Sequence, residues 1–228
     1  MREIIFDTET TGLDPATGDR MVEIGCVEMV NRVATGRTFH AYYNPERDMP
    51  AEAEKVHGLS SAFLADKALF RDGATELLEF LEDSPLVAHN AQFDFGFLNN
   101  ELRLCDLACV GDDRMVDTLA IARRRHPGAK HSLDALCSRY GVDRSHRVLH
   151  GALLDAELLA QVYVERTGGR QIGLQLAVDN VADMPSQHTV FRPVTGEYRA
   201  PRAHKATAEE AARHKAFLDS LDIPLWTS

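Results

Sequence analysis

An α/β domain with a mixed sheet and helices packed on it is predicted by the order of elements along the chain. Three strand-like segments come first, short strands and longer helical stretches then alternate, and regular patterning stops near Gly169. Opening strands paired in sequence, followed by strand–helix crossovers, give this architecture.

Residues 3–7 read as a short buried strand, because Ile4-Ile5-Phe6 is continuously apolar and ends on Asp7. Asp19 and Arg20 form a turn, and Met21–Val30 alternates enough for a second strand. Residues 37–43 are aromatic-rich and suit a third strand, which Asn44-Pro45 terminates. After Gly73, Leu77, Leu78 and Leu81 share a helix face. Leu86-Val87-Ala88-His89 is a very short fourth strand, followed by a helix over residues 93–104. Pro127-Gly128 stops a helix over 118–125, and Ser132 caps another that ends near Gly141. A long amphipathic helix covers 152–167, with Gly168-Gly169 as its stop.

Residues 177–206 hold Pro185, Pro193 and Pro201, few large apolar residues and no sustained period, which is the composition of a linker. Thr207-Ala208-Glu209-Glu210 then has the form of a capping box, with Ala211, Leu218 and Leu221 on one stripe of the helix it opens. That helix is expected either to dock on a partner or to fold back on the domain.

Composition narrows the functional classes. The chain of 228 residues is 44% hydrophobic and 26% charged, which suits a full core. No stretch approaches the roughly 20 apolar residues of a membrane span. The N-terminal segment turns acidic at once without an apolar run, so a cytosolic protein is expected. Cys26, Cys105, Cys109 and Cys137 lack the paired spacing of a zinc site and read as buried free thiols. A net charge of −10 disfavours a long electrostatic footprint on nucleic acid but permits a small site with bound cations.

Three groups of acids carry the chemistry. Asp7 and Glu9 are two apart on a strand, so both carboxylates project to one face. Read alone, such a triplet is by default a solvated strand end. Asp94 stands in the first turn of its helix, where an acid also complements the helix dipole. That explanation leaves His89 and Asn90, just ahead of it, unaccounted for. Asp155 lies early on a helix whose inward positions are Leu158, Leu159 and Val162, and His150 precedes that helix. Together, four carboxylates make an all-oxygen donor set suited to Mg²⁺ or Mn²⁺ rather than zinc. Two such ions support in-line phosphoryl displacement, and a neighbouring histidine supplies a proton acceptor.

Asp7-Thr8-Glu9-Thr10-Thr11-Gly12, Asn90-Ala91-Gln92-Phe93-Asp94 and His150-x4-Asp155 resemble the three motifs of the DEDD exonucleases, in the subgroup marked by histidine. The resemblance covers residues 1–169 and implies a ribonuclease H-like five-stranded sheet. It also implies hydrolysis that releases nucleoside monophosphates from DNA 3′ ends. Val56-His57-Gly58-Leu59 and Lys130-His131-Ser132-Leu133-Asp134 are similar to segments of the epsilon-type proofreading subunits of bacterial DNA polymerase III. By that resemblance Asp7, Glu9 and Asp155 hold one divalent ion, Mg²⁺ or Mn²⁺. Asp7 bridges to a second ion, which Asp94 helps to hold, and His150 accepts the proton of the attacking water. Thr10, Thr11, Leu13 and His57 line the terminal-nucleotide pocket, with Phe93 close by. The resemblance further implies a linker over 170–206 and a segment over 207–228 that binds the catalytic alpha subunit. Within the linker, Gln171-Ile172-Gly173-Leu174-Gln175-Leu176 is similar to a sliding-clamp peptide. A theta-like small subunit is the remaining implied partner.

Overall fold

The computed structural model describes residues 1–145, 147, 149–166 and 206–220. The chain divides into two units, Met1–Gln175 and Leu176–Ser228. The first unit holds a five-stranded sheet in the order β3-β2-β1-β4-β5. Its strands are β1 (Arg2–Thr10), β2 (Met21–Val30), β3 (Val33–Tyr42), β4 (Leu86–Ala88) and β5 (Met115–Asp117). β1–β2 and β2–β3 pair antiparallel, whereas β1–β4 and β4–β5 pair parallel. The helices of this unit are α1 (Ala51–His57), α2 (Ser61–Leu64), α3 (Phe70–Leu81), α4 (Ala91–Leu104), α5 (Thr118–Arg125), α6 (Leu133–Tyr140) and α7 (Ala152–Arg166).

Alternation along β1 sorts the core into two layers. Ile4 and Phe6 face α3 and α4, where Phe70, Leu77, Leu81, Phe95, Leu98 and Leu102 are buried with them. Ile5 faces the other way and packs with Val87, Leu159 and Tyr163 beneath α7. Odd positions of β1 therefore look toward α7. Glu3 is consistent with this, since its Oε1 accepts a hydrogen bond from Tyr163 Oη at 2.9 Å. Asp7 and Glu9 have the same parity.

The expected elements are present, with several corrected boundaries. β1 runs through Thr10 rather than stopping at Asp7, so both acids of the first motif lie within it. β3 begins at Val33 because Asn31 and Arg32, at φ 52° and 65°, close a two-residue hairpin. Positive φ at both central positions is the type I′ signature, but no glycine announces it here. α3 begins at Phe70, which places Gly73 inside the helix, where a Cβ would lie 3.2 Å from the Tyr43 ring. Among the thiols only Cys26 and Cys137 are buried; Cys105 is half-buried and Cys109 exposed, and all four are free. The expectation of four buried thiols is corrected accordingly.

The loop after β1 is anchored deep in the fold. Glu101 on α4 is 1% exposed and accepts two hydrogen bonds from the Arg20 guanidinium, each 2.8 Å, and a third from Met21 N–H. A buried carboxylate held this way fixes the Thr11–Arg20 segment against α4. Among the described residues no helix is long and apolar enough to cross a membrane.

In the second unit the expected capping box is formed. Thr207 Oγ1 accepts from Glu210 N–H, and Glu210 Oε2 accepts from Thr207 N–H at 2.8 Å. It opens α8 (Ala208–Asp219), an exposed helix on which Leu218 is partly covered. The candidate clamp peptide at Gln171–Leu176 and the last eight residues, 221–228, lie outside the described residues.

Candidate active site

The two faces of the sheet deliver acids to one point, the C-terminal end of β1. On one face, α4 starts directly after β4 and brings Asp94, which is 3% exposed, against the strand. Asp94 Oδ1 accepts from Thr8 N–H at 3.1 Å and from Thr8 Oγ1 at 2.8 Å, so an even residue of β1 fixes it. On the other face, α7 brings Asp155, also 3% exposed, beside the odd residues Asp7 and Glu9. Gly25 makes that approach possible: it pairs with Asp7 across β1–β2, and a Cβ there would collide with the backbone of Ala152 and Leu153. One ligand atom each from Glu9, His150 and Asp155 lies within 4.8 Å of the others.

The acids oppose one another. Burial, followed by the charges of Asp94, Glu9 and Asp155, raises the Asp7 carboxyl well above its ordinary range. Glu9 is pushed up to about 8 by burial, then by Glu23 directly opposite on β2 and by Asp155 and Asp94. Asp94 is pushed up to about 7 by burial, against the hydrogen bonds from Thr8. Like charges held this close out of water require a cation.

One cation is supplied by the chain itself. Arg147 donates to both Asp155 carboxylate oxygens, at 2.5 and 2.6 Å, to Asp134 at 2.7 Å and to His150 Nδ1 at 2.8 Å. Sequence reading missed this residue, although it stands only three positions before the motif histidine. His150 is half-exposed, and its backbone N–H donates to the Val56 carbonyl, which ties the loop before α7 to α1. One guanidinium against four carboxylates leaves a deficit of positive charge. Oxygen donors around that deficit fit hard divalent ions.

A second organising acid was also missed. Asp117 Oδ1, at the end of β5, accepts from Asn90 N–H at 3.1 Å and caps α5 through Leu119 N–H at 2.9 Å. It holds Asn90 in the left-handed region at φ 69°. His89 is satisfied by Thr118 Oγ1 at 2.9 Å, so its place beside the motif is structural.

The predicted pocket residues come from three places, Thr10, Thr11 and Leu13 from β1 and the loop after it, His57 from α1 and Phe93 from α4. His57 is 6% exposed; its Nδ1 accepts from Leu59 N–H, and its Nε2 has no hydrogen-bond partner among the described residues. Burial lowers its pKa, offset in part by the backbone of Thr10. With Nδ1 acting as acceptor, a neutral ring carries its proton on Nε2, a buried donor on the side of the Thr10 backbone. Thr10 is buried, and its hydroxyl donates to the Gly12 carbonyl at 2.6 Å. Thr11 is 1% exposed, with its hydroxyl between Asp19 and the Arg20 N–H, so any contact it makes with a nucleotide is through its backbone. Leu13 is 84% exposed, and Val56 and Leu149 present further apolar surface. Phe93 is half-buried, its ring centroid 4.9 Å from that of Phe97. A separate groove of about 740 Å³ between β2–β3 and α6–α7 contains none of these residues.

The sequence matches the family model described as Exonuclease over residues 4–163. The chain belongs to the exonuclease family. The exonuclease is 51% identical over 225 residues to the DNA polymerase III subunit epsilon of Rickettsia felis, a match covering 97% of each chain. Among solved structures it is similar to Exonuclease X in complex with 5′ overhanging duplex DNA. That likeness has 28% identity and a TM-score of 0.54, over 71% of this chain and 88% of the other. The nuclease domain of 3′hExo, a DEDDh family member bound to rAMP, shares the fold. Its TM-score is 0.63 at 17% identity, over 73% of this chain and 90% of the other. The exonuclease thus has the expected ribonuclease H-like fold, acts in the 3′→5′ direction, and is of a family that uses divalent metal ions.

Proposed function

We propose that the exonuclease proofreads DNA for a bacterial replicative polymerase, and that Asp7, Glu9, Asp94 and Asp155 hold two divalent ions, Mg²⁺ or Mn²⁺. The observation that supports this reading best is the meeting of four acids and His150 at the end of β1 with, among the described residues, Arg147 alone to balance them. Bound there, the ions would offset phosphate charge and lower the pKa of a water molecule.

The chain's own residues do the rest. His150, half-exposed beside Asp155, accepts the water's proton and passes it to solvent. Thr8 keeps Asp94 oriented through two hydrogen bonds, and Gly25 lets α7 carry Asp155 against β1. Thr10, Thr11, Leu13, His57 and Phe93 receive the terminal nucleotide: apolar surface takes the base and sugar, and His57 Nε2–H donates to a polar atom of the nucleotide.

In this reading residues 1–169 are catalytic and 170–206 form a linker whose Gln171–Leu176 peptide binds the sliding clamp. Residues 207–228 bind the polymerase's catalytic alpha subunit, and a theta-like small subunit completes the assembly in the cytoplasmic replisome. The 97% two-way coverage with an epsilon subunit supports this assignment. Tethering a partner through a short linker raises its effective concentration to roughly millimolar.

A small pocket for one unpaired nucleotide favours ends that fray. Extruding a mispaired nucleotide costs a few kcal/mol less than extruding a paired one. Primer–templates differing only in the terminal pair, compared at limiting enzyme, are therefore expected to lose a mispaired nucleotide about tenfold faster or more. Equal rates on the two ends would overturn the proofreading role.

A further inference from the structure

The chain's negative charge is unevenly spread. Between residues 122 and 147, seven Lys and Arg face two Asp, a local net charge of +5 in a chain of net −10. Arg144 and Arg147 are engaged with Asp134 and Asp155. The other five, Arg123, Arg124, Arg125, Lys130 and Arg139, are exposed and form no salt bridge among the described residues. Arg125 donates to the Arg166 carbonyl. His126 Nε2 lies 2.9 Å from Tyr140 Oη, which places the end of α6 against the end of α5. The His126 ring is depressed by burial and then by the positive charges of Arg139 and Arg125, so the cations of both helix ends act on one place. A helix C-terminus offers about half a negative charge. That accounts for one arginine, not three in succession on α5.

Sheet order places this strip. Thr10 is on β1, His57 on α1 and Phe93 on α4, whereas α5 follows β5, the edge strand of the sheet. α5 starts at Asp117, the carboxylate that also holds Asn90 at the entrance of the catalytic helix. The eight residues of α5 span about 12 Å, and Arg125 at its end meets the Arg166 carbonyl, at the end of α7 away from Asp155. At 3.4 Å per nucleotide of a stacked strand, that length is roughly three to four phosphates. A strand with its scissile phosphate at the acids and its upstream nucleotides running past Asn90 and along α5 would meet this strip.

Resting on the exonuclease reading, we propose that Arg123, Arg124, Arg125, Lys130 and Arg139 form a track for the phosphodiester backbone of the single strand upstream of the terminal nucleotide. The contacts are to phosphates, so they add grip and register without base preference. The strip gives an acidic protein a local hold that its overall charge opposes.

The test uses the full chain carrying Arg123→Glu and Arg124→Glu. Binding of a fluorescent ten-nucleotide single strand is read by anisotropy in chelator, and hydrolysis of the nitrophenyl ester of thymidine 5′-phosphate is read separately with Mn²⁺. Reversal is expected to weaken strand binding at least tenfold at low salt and to flatten the salt dependence by about 0.7 in log–log slope per lost phosphate contact. The ester, which has no upstream phosphates, is expected to turn over at the wild-type rate. Arg123→Lys with Arg124→Lys is expected to retain binding. Strand affinity within twofold of wild type would overturn the proposal and leave the strip for an acidic protein partner. Equal weakening by Arg71→Glu with Arg103→Glu would overturn it as a mere net-charge effect, and parallel loss of ester turnover would overturn it as damage to the site. If wild type failed to hydrolyse the ester, the exonuclease reading would fall, while the binding comparison would still decide the strip.

Discussion

Asp7→Asn is expected to lower nucleotide release on the order of 10⁴-fold while making the metal-free protein more stable. The activity loss follows from position: Asp7 on β1 feels the charges of Asp94 from α4, of Glu9 on its own strand and of Asp155 from α7, so both proposed ions depend on it. A 10⁴-fold loss is about 5.5 kcal/mol of transition-state stabilisation, a reasonable share for a ligand in a two-ion site. The stability gain has the opposite origin. Asp7's carboxyl is held far above its usual range by burial and then by Asp94, Glu9 and Asp155, with Arg147 only partly compensating. Asparagine keeps the shape and removes the repulsion. Melting in chelator at pH 8 is expected to rise by roughly 3–6 °C. Unchanged activity would remove Asp7 from the site, and a lower melting temperature would contradict the repulsion argument.

Without metal, stability is expected to fall as pH rises from about 5 to 8, and divalent ions are expected to cancel that fall. Glu9 at about 8 and Asp94 at about 7 are raised by folding. In this window the folded chain retains protons at these two carboxyls that the unfolded chain has already released. The unfolded state therefore binds fewer protons, and stability decreases with pH. The groups facing Glu9 are Glu23, Asp155, Asp94 and Arg147; those facing Asp94 include Thr8 and Asp117. Each pKa unit corresponds to about 1.4 kcal/mol, so the two acids together destabilise the metal-free fold by several kcal/mol by pH 8. Ions bind only the deprotonated carboxylates, so they add little at pH 5 and most at pH 8. Thermal melts in chelator are expected to drop by about 5–10 °C across the window, with millimolar Mg²⁺ or Mn²⁺ levelling the curve. The same slope with and without metal would show that these acids do not hold it.

These two outcomes depend on residues of unequal visibility in the sequence. Asp7 and Glu9 are legible because a strand's two-residue period places them on one face, and Asp155 because an acid interrupts an apolar helix face. β5 was illegible: three residues have no period, and Met115–Asp117 is a strand only because β4 lies beside it. α1 was also missed, being seven residues opened by Pro50 without a side-chain cap. Arg147 escaped because a long side chain on a loop reveals its target only when Asp134, His150 and Asp155 are brought together by α6 and α7. The net charge of −10 is compatible with a small cation-dependent site, but averaging over the chain concealed the basic segment at α5–α6.

The central claim is that the acids at the end of β1 make a metal-dependent 3′→5′ exonuclease. It is tested most directly by following a 5′-labelled, 3′-mispaired primer with Mg²⁺ and, in parallel, with excess chelator. The expected result is stepwise shortening from the 3′ end, with release of nucleoside 5′-monophosphates in Mg²⁺ and none in chelator. An intact primer in both Mg²⁺ and Mn²⁺, or undiminished shortening in chelator, would contradict it.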